Sequence, residues 1–192
     1  MIAHHHFVCH SHIAKKKSKR GCCHQFESLE YLRIADCCNL VSIPQHSYIK
    51  NVILSNVTEK ILQQAVNHSK LEYLEIGSMI NFKSLHGVFQ HLSTLCELCI
   101  SYCEEFDPCN DEDGCYSMKW KELANLKVLE FYGIPKMKYL PKGLQHITTL
   151  QTLRIKNCVN LTSIPEWATS LQVLDIKDCP NVTSQHVGVE DQ

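Results

Sequence analysis

Long apolar runs are missing from this chain. No stretch approaches the ~20 consecutive apolar residues of a membrane-spanning helix. The opening residues, MIAHHHFVCHSHIAKKKSKR, hold no apolar core of the ~7–15 residues that a secretory signal carries. Acid is missing from residues 1–25, where Lys15, Lys16, Lys17, Lys19 and Arg20 give +5 of a net charge of −1 and leave −6 for the remainder. A mildly acidic body behind a short basic leader lacks the Lys/Arg-rich face of a nucleic-acid binder. Twelve cysteines in 192 residues, about 6%, fall below the ~8–10% of a disulfide scaffold. The expectation is reduced thiols in the cytoplasm, where the sequons at Asn56, Asn67, Asn160 and Asn181 are without consequence.

Signatures of catalysis are missing too. There is no nucleophile elbow, no H-E-x-x-H, and no carboxylate pair outside the repeating pattern. No G-x-x-x-x-G-K-[ST] phosphate loop occurs, and Gly114-Cys-Tyr-Ser-Met-Lys-Trp120, the nearest Gly-Lys neighbourhood, does not fit. These absences point to a non-enzymatic protein with no cofactor and no resident metal.

What is present is a repeat. Leu150-Gln-Thr-Leu-Arg-Ile-Lys-Asn-Cys-Val-Asn-Leu-Thr-Ser-Ile-Pro165 reads as L-x-x-L-x-I-x-x-C-x-x-L-x-x-I-P. Aligning on L-x-x-L-x-L gives seven copies: Leu29/Leu32/Ile34, Ile49/Val52/Leu54, Leu71/Leu74/Ile76, Leu95/Leu98/Ile100, Leu126/Leu129/Phe131, Leu150/Leu153/Ile155 and Leu171/Leu174/Ile176. All but one of the steps lie in the ~20–29-residue window of leucine-rich repeats. All 21 positions are apolar, which chance would give on the order of once in ten million before allowing for the choice of register. The central pair, alternating with polar neighbours, is a short strand with one buried face. One such strand cannot bury that face alone, so the copies must stack in parallel around a shared core.

The rest of the unit follows from the turn. A ninth position, Cys37, Val57, Met79, Cys103, Ile134, Cys158 and Cys179, puts a small or apolar side chain inside it, and Cys suits the place as a small, weakly donating residue. Three positions on, Leu40, Phe82, Phe106, Met137, Leu161 and Val182 line the outer half of the core, and Ile43-Pro44, Leu140-Pro141 and Ile164-Pro165 close the turn. The second copy carries Lys60 in that outer slot and a predicted short helix over Glu59–Val66. The predicted architecture is an α/β leucine-rich-repeat solenoid of about seven repeats, with a curved parallel sheet on the concave face and irregular turns and short helices on the convex face. Its parts are a basic, His-rich leader over 1–25 expected to be disordered, the repeat domain over 26–182 with an insertion at 107–122, and a polar tail over 183–192. Solenoid ends expose apolar surface and unpaired strand edges, and both ends are expected to be open.

Stacking also fixes the candidate site. Side chains beside the buried pair form ladders with rungs ~4.8 Å apart. The middle ladder is Arg33, Ile53, Glu75, Cys99, Glu130, Arg154, Asp175, and the next one out is Ala35, Ser55, Gly77, Ser101, Tyr132, Lys156, Lys177. Tyr31, Tyr73, Tyr102 and Tyr132 add amphipathic area, Tyr and Arg being favoured binding anchors. The candidate protein-binding face is therefore Tyr31, Arg33, Tyr73, Glu75, Cys99, Tyr102, Glu130, Tyr132, Arg154, Lys156, Asp175 and Lys177, weighed against an ordinary solvated sheet with alternating charge. Other clusters read as bland. Cys96-x-x-Cys99-x-x-x-Cys103 mimics zinc spacing, but Cys103 turns inward and Cys99 outward. His4, His5, His6, Cys9, His10, His12 and Cys22-Cys-His24 belong to the leader. Asn110-Asp-Glu-Asp-Gly114 lacks the closing Glu of a calcium loop. Lys15-Lys-Lys-Ser-Lys-Arg20 is a solvated tail, with nuclear import as the alternative.

Gly133-Ile-Pro-Lys-Met137, Leu140-Pro-Lys-Gly-Leu-Gln-His-Ile147, Ile164-Pro-Glu-Trp167 and Cys179-Pro-Asn181 resemble the C-terminal repeats of plant nucleotide-binding, leucine-rich-repeat disease resistance proteins. The C-x-x-L-x-x-I-P turn is that of the cytoplasmic plant receptors; the Gly-x-Ile-Pro turn of the extracellular type is absent. The resemblance covers roughly 26–182 and is strongest after 118. It implies the sensing end of a defense-response switch, with a protein partner: a pathogen effector, a host protein under guard, or the nucleotide-binding domain of a receptor. Lacking a phosphate loop, this chain departs from the family in nucleotide binding, and so resembles a fragment or a stand-alone sensor. The alternative is the substrate-binding part of an F-box ubiquitin ligase. Such adaptors also use Cys-rich repeats but lack the I-P turn, and no F-box-like helical segment precedes Phe26.

Overall fold

The computed structural model describes residues 5–10, 29–43, 49–67, 70–109 and 120–183. Eight strands form one sheet: β1 (His5–His10), β2 (Leu29–Ala35), β3 (Asn51–Ser55), β4 (Tyr73–Gly77), β5 (Glu97–Ser101), β6 (Val128–Tyr132), β7 (Thr152–Lys156) and β8 (Val173–Lys177). Their order in the sheet is their order in the chain, and every pairing is parallel. Parallel neighbours cannot be joined by a tight turn, so each rung needs a crossover. Here the crossovers are short: α1 (Glu59–Val66), the four-residue α2 (Glu166–Thr169), and 3-10 turns at Phe89–His91, Trp120–Glu122 and Lys142–His146. An all-parallel sheet with little helix, climbing one rung at a time, is compatible with a solenoid.

The alternation predicted from sequence decides which side is buried. In β5, Leu98 and Ile100 are buried while Glu97, Cys99 and Ser101 are not. Leu98, Leu129 and Leu153 stand side by side in the register and belong to one continuous core. Every position of the first six L-x-x-L-x-L copies is buried; the last copy, Leu171, Leu174 and Ile176, is only partly so. The helix expected over Glu59–Val66 forms with those bounds and buries Ile61, Leu62, Ala65 and Val66, one apolar stripe. Of the predicted outer-core residues, Phe82, Phe106, Met137 and Leu161 are buried, while Leu40 and Val182 at the two ends are only part-buried. Aromatic rings extend this layer: Phe82 stacks on Phe106 at 5.4 Å, and Trp120 sets its edge against Phe89 at 5.6 Å and Phe131 at 6.2 Å. Trp120, at the end of the insertion, is thus a core residue, and its indole Nε1–H has no acceptor among the described residues.

One device repeats at every turn. The residue after each of β2 to β8 is left-handed: Asp36 (φ 56°), Asn56 (φ 49°), Ser78 (φ 49°), Tyr102 (φ 51°), Gly133 (φ 57°), Asn157 (φ 55°) and Asp178 (φ 54°). Asn, Asp and Gly reach this region at little cost. The kink turns the chain off the sheet and aims the next side chain inward, which is why the ninth position is buried in the first six repeats and part-buried at Cys179 in the last. The N–H groups of Asp36, Asn56, Ser78, Tyr102, Gly133 and Asn157 each donate to the last strand carbonyl of the following rung, at 2.7–3.1 Å. The thiols of Cys37, Cys103, Cys158 and Cys179 donate to the carbonyl two residues back, at 3.2, 3.4, 3.5 and 3.3 Å. Two residues beyond the ninth position, Asn160 and Asn181 donate to Pro135 and Val159 of the preceding turn, at 2.7 and 2.8 Å.

The N-terminal end differs from expectation. Part of the leader, His5–His10, forms β1 and pairs with β2, placing Phe7 and Cys9 at the register positions of Leu32 and Ile34. β1 thus occupies an edge of the sheet that the sequence reading leaves open. The remaining leader groups, the basic run Lys15–Arg20, Asn110–Gly114 and residues 184–192 lie outside the described residues, as does Pro44. Among the described residues, no helix is long and apolar enough to cross a membrane.

Candidate functional site

The register assembles both expected ladders. Arg33, Ile53, Glu75, Cys99, Glu130, Arg154 and Asp175 are successive Cα partners, as are Ala35, Ser55, Gly77, Ser101, Tyr132, Lys156 and Lys177. A third ladder lies on the other side of the middle one: Tyr31, Asn51, Tyr73, Glu97, Val128, Thr152 and Val173. It takes in Tyr31 and Tyr73 and adds Glu97, which the sequence reading passed over although it stands two residues before Cys99. Tyr102 is the exception among the candidates. It follows β5 in the left-handed turn, 57% exposed, with its ring over Gly133 on the rim of the sheet.

The open face is electrically divided. Acid gathers on β4 to β6, where Glu75 and Glu130 flank Cys99 along the middle ladder and Glu97 stands beside it. Base gathers on β7 and β8 as Arg154, Lys156 and Lys177. The hydroxyl of Tyr73 donates to Glu75 Oε2 at 2.8 Å, and Arg154 is ion-paired to Glu130 across one rung. Asp175 sits between two ammonium groups, with Lys177 Nζ at 3.1 Å and Lys156 Nζ at 3.5 Å. The Lys156 ammonium also lies 5.4 Å from the centre of the Tyr132 ring, within cation–π range.

These contacts set the protonation states. The hydrogen bond from Lys177, opposed by slight desolvation and helped by the nearby ammonium charges, holds Asp175 below the ordinary carboxylate range. Burial first, then the charge of and a hydrogen bond with Glu130, raises the Tyr132 phenol. Burial, then hydrogen bonding to Glu75, raises the Tyr73 phenol. Burial, then the carboxylates of Glu75 and Glu130, pushes the Cys99 thiol up to about 12. A thiol in that state is not a nucleophile near neutral pH. The face therefore offers fixed charge, hydroxyls and aromatic area.

Cys96, Cys99 and Cys103 separate as the register requires. Cys103 is buried in its turn with Ser101 as its acceptor, and Cys99 lies on the open face. Among the described residues, no three His, Cys, Asp or Glu side chains meet as a metal set, and no cysteine is disulfide-bonded. No protein-family model and no curated protein matches the chain.

Proposed function

We propose that the chain is a leucine-rich-repeat recognition module of the plant disease-resistance type, a non-enzymatic sensor that binds another protein through its open sheet face. The reading rests chiefly on one observation: seven successive rungs hold an unbroken parallel register, so three ladders of side chains merge into one continuous surface. Rigid strands position such a surface better than loops do. The residues proposed to carry recognition are Tyr31, Arg33, Tyr73, Glu75, Cys99, Glu130, Tyr132, Arg154, Lys156, Asp175 and Lys177, with Glu97 added. The repeat spacing and the I-P turns support the family, and the cytoplasm is the proposed compartment. The partner is a pathogen-derived protein, a guarded host protein or the nucleotide-binding part of a receptor.

Proximity labelling in plant cells tests this with three chains: the unaltered protein, Arg154→Glu with Lys156→Glu on the open face, and Lys142→Glu on the opposite side. A set of protein neighbours should survive Lys142→Glu and vanish with the paired change. Identical neighbours for all three chains would remove the face from the proposal.

A further inference from the structure

A second surface lies away from the sheet face, on the rim where the chain leaves β4 and β5. A cleft of about 550 Å³ opens between these two turns, lined by Ser78, Met79, Ile80, Asn81, Tyr102, Glu104 and Glu105. That size falls within the ~300–1,000 Å³ of small-ligand sites. Its walls differ from those of an ordinary turn. Ile80 is 76% exposed and Tyr102 57%, the two most exposed large apolar groups of these turns. Three left-handed residues without the freedom of glycine, Ser78, Asn81 and Tyr102, shape the cleft. Asn81 is the one left-handed residue, among those described, that lies outside the regular post-strand position. Ser78 and Tyr102 share the conformation of every post-strand residue from β2 onward, but a bulky Tyr there is unusual.

Charge chooses the ligand. Glu105 is engaged, bound by Lys136 Nζ at 2.6 Å. Glu104 is exposed and, among the described residues, has no ion-pair partner. With Glu105 neutralised by Lys136, the charge left at the mouth is that of Glu104, which favours a cation over an anion, and one free carboxylate is too few to hold a metal. One exposed carboxylate, one open phenol ring and one aliphatic branch together suit a flat cation on an apolar stem. The ring is held in place from behind, because it packs over Gly133, where a Cβ would come within 2.7 Å of it.

The geometry points to a docking site for an arginine side chain of a protein partner: guanidinium stacked on Tyr102 and paired with Glu104, its stem against Ile80. Guanidinium stacks on aromatic faces and forks onto carboxylates, which ammonium does less well. This site is separate from the open face and stands whether or not that face binds.

The test uses the full chain with methyl-labelled Ile and ring-labelled Tyr, observed by NMR. The probe is the peptide acetyl-Leu-Arg-Leu-amide, with the neutral citrulline peptide of the same shape as control. The arginine peptide should shift the Ile80 methyl and Tyr102 ring signals saturably, with a dissociation constant on the order of 1 mM. Glu104→Gln and Tyr102→Leu should each weaken it about fivefold, the scale of one exposed ion pair or cation–π contact. Both positions are exposed, and an unchanged amide spectrum elsewhere verifies the fold. Absence of a saturable shift, equal binding of the citrulline peptide, or indifference to both substitutions overturns the assignment.

Discussion

The stacked core predicts that one substitution has different consequences at equivalent places. Leu129, Leu153 and Leu174 occupy the same ladder on consecutive rungs. Leu129 and Leu153 are fully buried, while Leu174 on the last strand is only partly covered. Changing Leu to Ala removes three carbons, worth ~2.4 kcal/mol at ~0.8 per buried carbon. Inside the stack a cavity remains because neighbours on both sides are fixed, which takes the loss to ~3–4 kcal/mol. At Leu174 much of the side chain is already wet and no closed cavity forms, so the loss is ~1 kcal/mol. With a urea slope of about 2 kcal/mol/M, the unfolding midpoint should fall by ~1.5–2 M for Leu153→Ala and ~0.5 M for Leu174→Ala. Circular dichroism and tryptophan fluorescence would report the transition together. Equal shifts at Leu153 and Leu174, or a Leu153→Ala shift under ~0.5 M, would refute a single core with an open last rung.

Three other outcomes follow from individual sites. Burial is the first cause of the raised thiols at Cys99, about 12, and Cys158, about 11. The unfolded chain releases those protons near the ordinary 9.0. Above that pH the folded state holds more protons than the unfolded one, so stability must fall as pH rises from about 9 toward about 12. Urea midpoints at about pH 8 and about pH 10.5 should show the decline, and Cys99→Ala with Cys158→Ala should lessen it without abolishing it, because burial also raises the Cys103 and Cys179 thiols. Gly133→Ala should destabilise by at least ~1–2 kcal/mol for the left-handed backbone alone, with a further loss because the new Cβ meets Tyr102 at 2.7 Å. A double-mutant cycle with Tyr102→Ala would show positive coupling, and additive losses would contradict the contact. Trp120→Phe loses core volume but also removes an indole N–H that has no acceptor among the described residues, worth ~1–3 kcal/mol when buried unpaired. The net change should stay within ~1 kcal/mol, whereas Phe131→Ala should cost ~3–5 kcal/mol; similar losses at both would refute the offset.

The register could be read from the chain because strand geometry leaves no choice. Side chains alternate with a period of two, and a slip of one residue would turn Leu98 and Ile100 outward and Glu97 and Cys99 into the core. Seven copies of that constraint set the two ladders read from the chain, and the third, which the sequence reading leaves out, follows from the same register. The turns were less legible. Their left-handed residues stand immediately before each ninth position, and Asp36, Asn56, Gly133, Asn157 and Asp178 are the types that region favours. Ser78 and Tyr102 hide the pattern, since neither type announces that backbone. Tyr102 therefore reads as a face residue when it is a rim residue. The first strand was hidden by composition: the histidines around Phe7 and Cys9 read as part of a basic, disordered leader.

That contrast bears on where recognition is placed. A ladder residue is set by the strand, so its neighbours on adjacent rungs follow from sequence, and pairs such as Glu130 with Arg154 follow with them. A rim residue is set by a turn, where one positive φ redirects the side chain and the following residue departs for the crossover. The two surfaces therefore tolerate change differently. On the open face, a charge substitution alters the pairing across one rung and leaves the strand's backbone bonds intact. On the rim, Ser78, Tyr102 and Gly133 also donate the backbone bonds that join one turn to the next rung, at 2.9, 2.7 and 2.8 Å. Side-chain changes there that suit the left-handed backbone should alter the cleft alone, whereas β-branched residues such as Val at Ser78 or Tyr102 should also loosen the stack, because that backbone is a severe outlier for them.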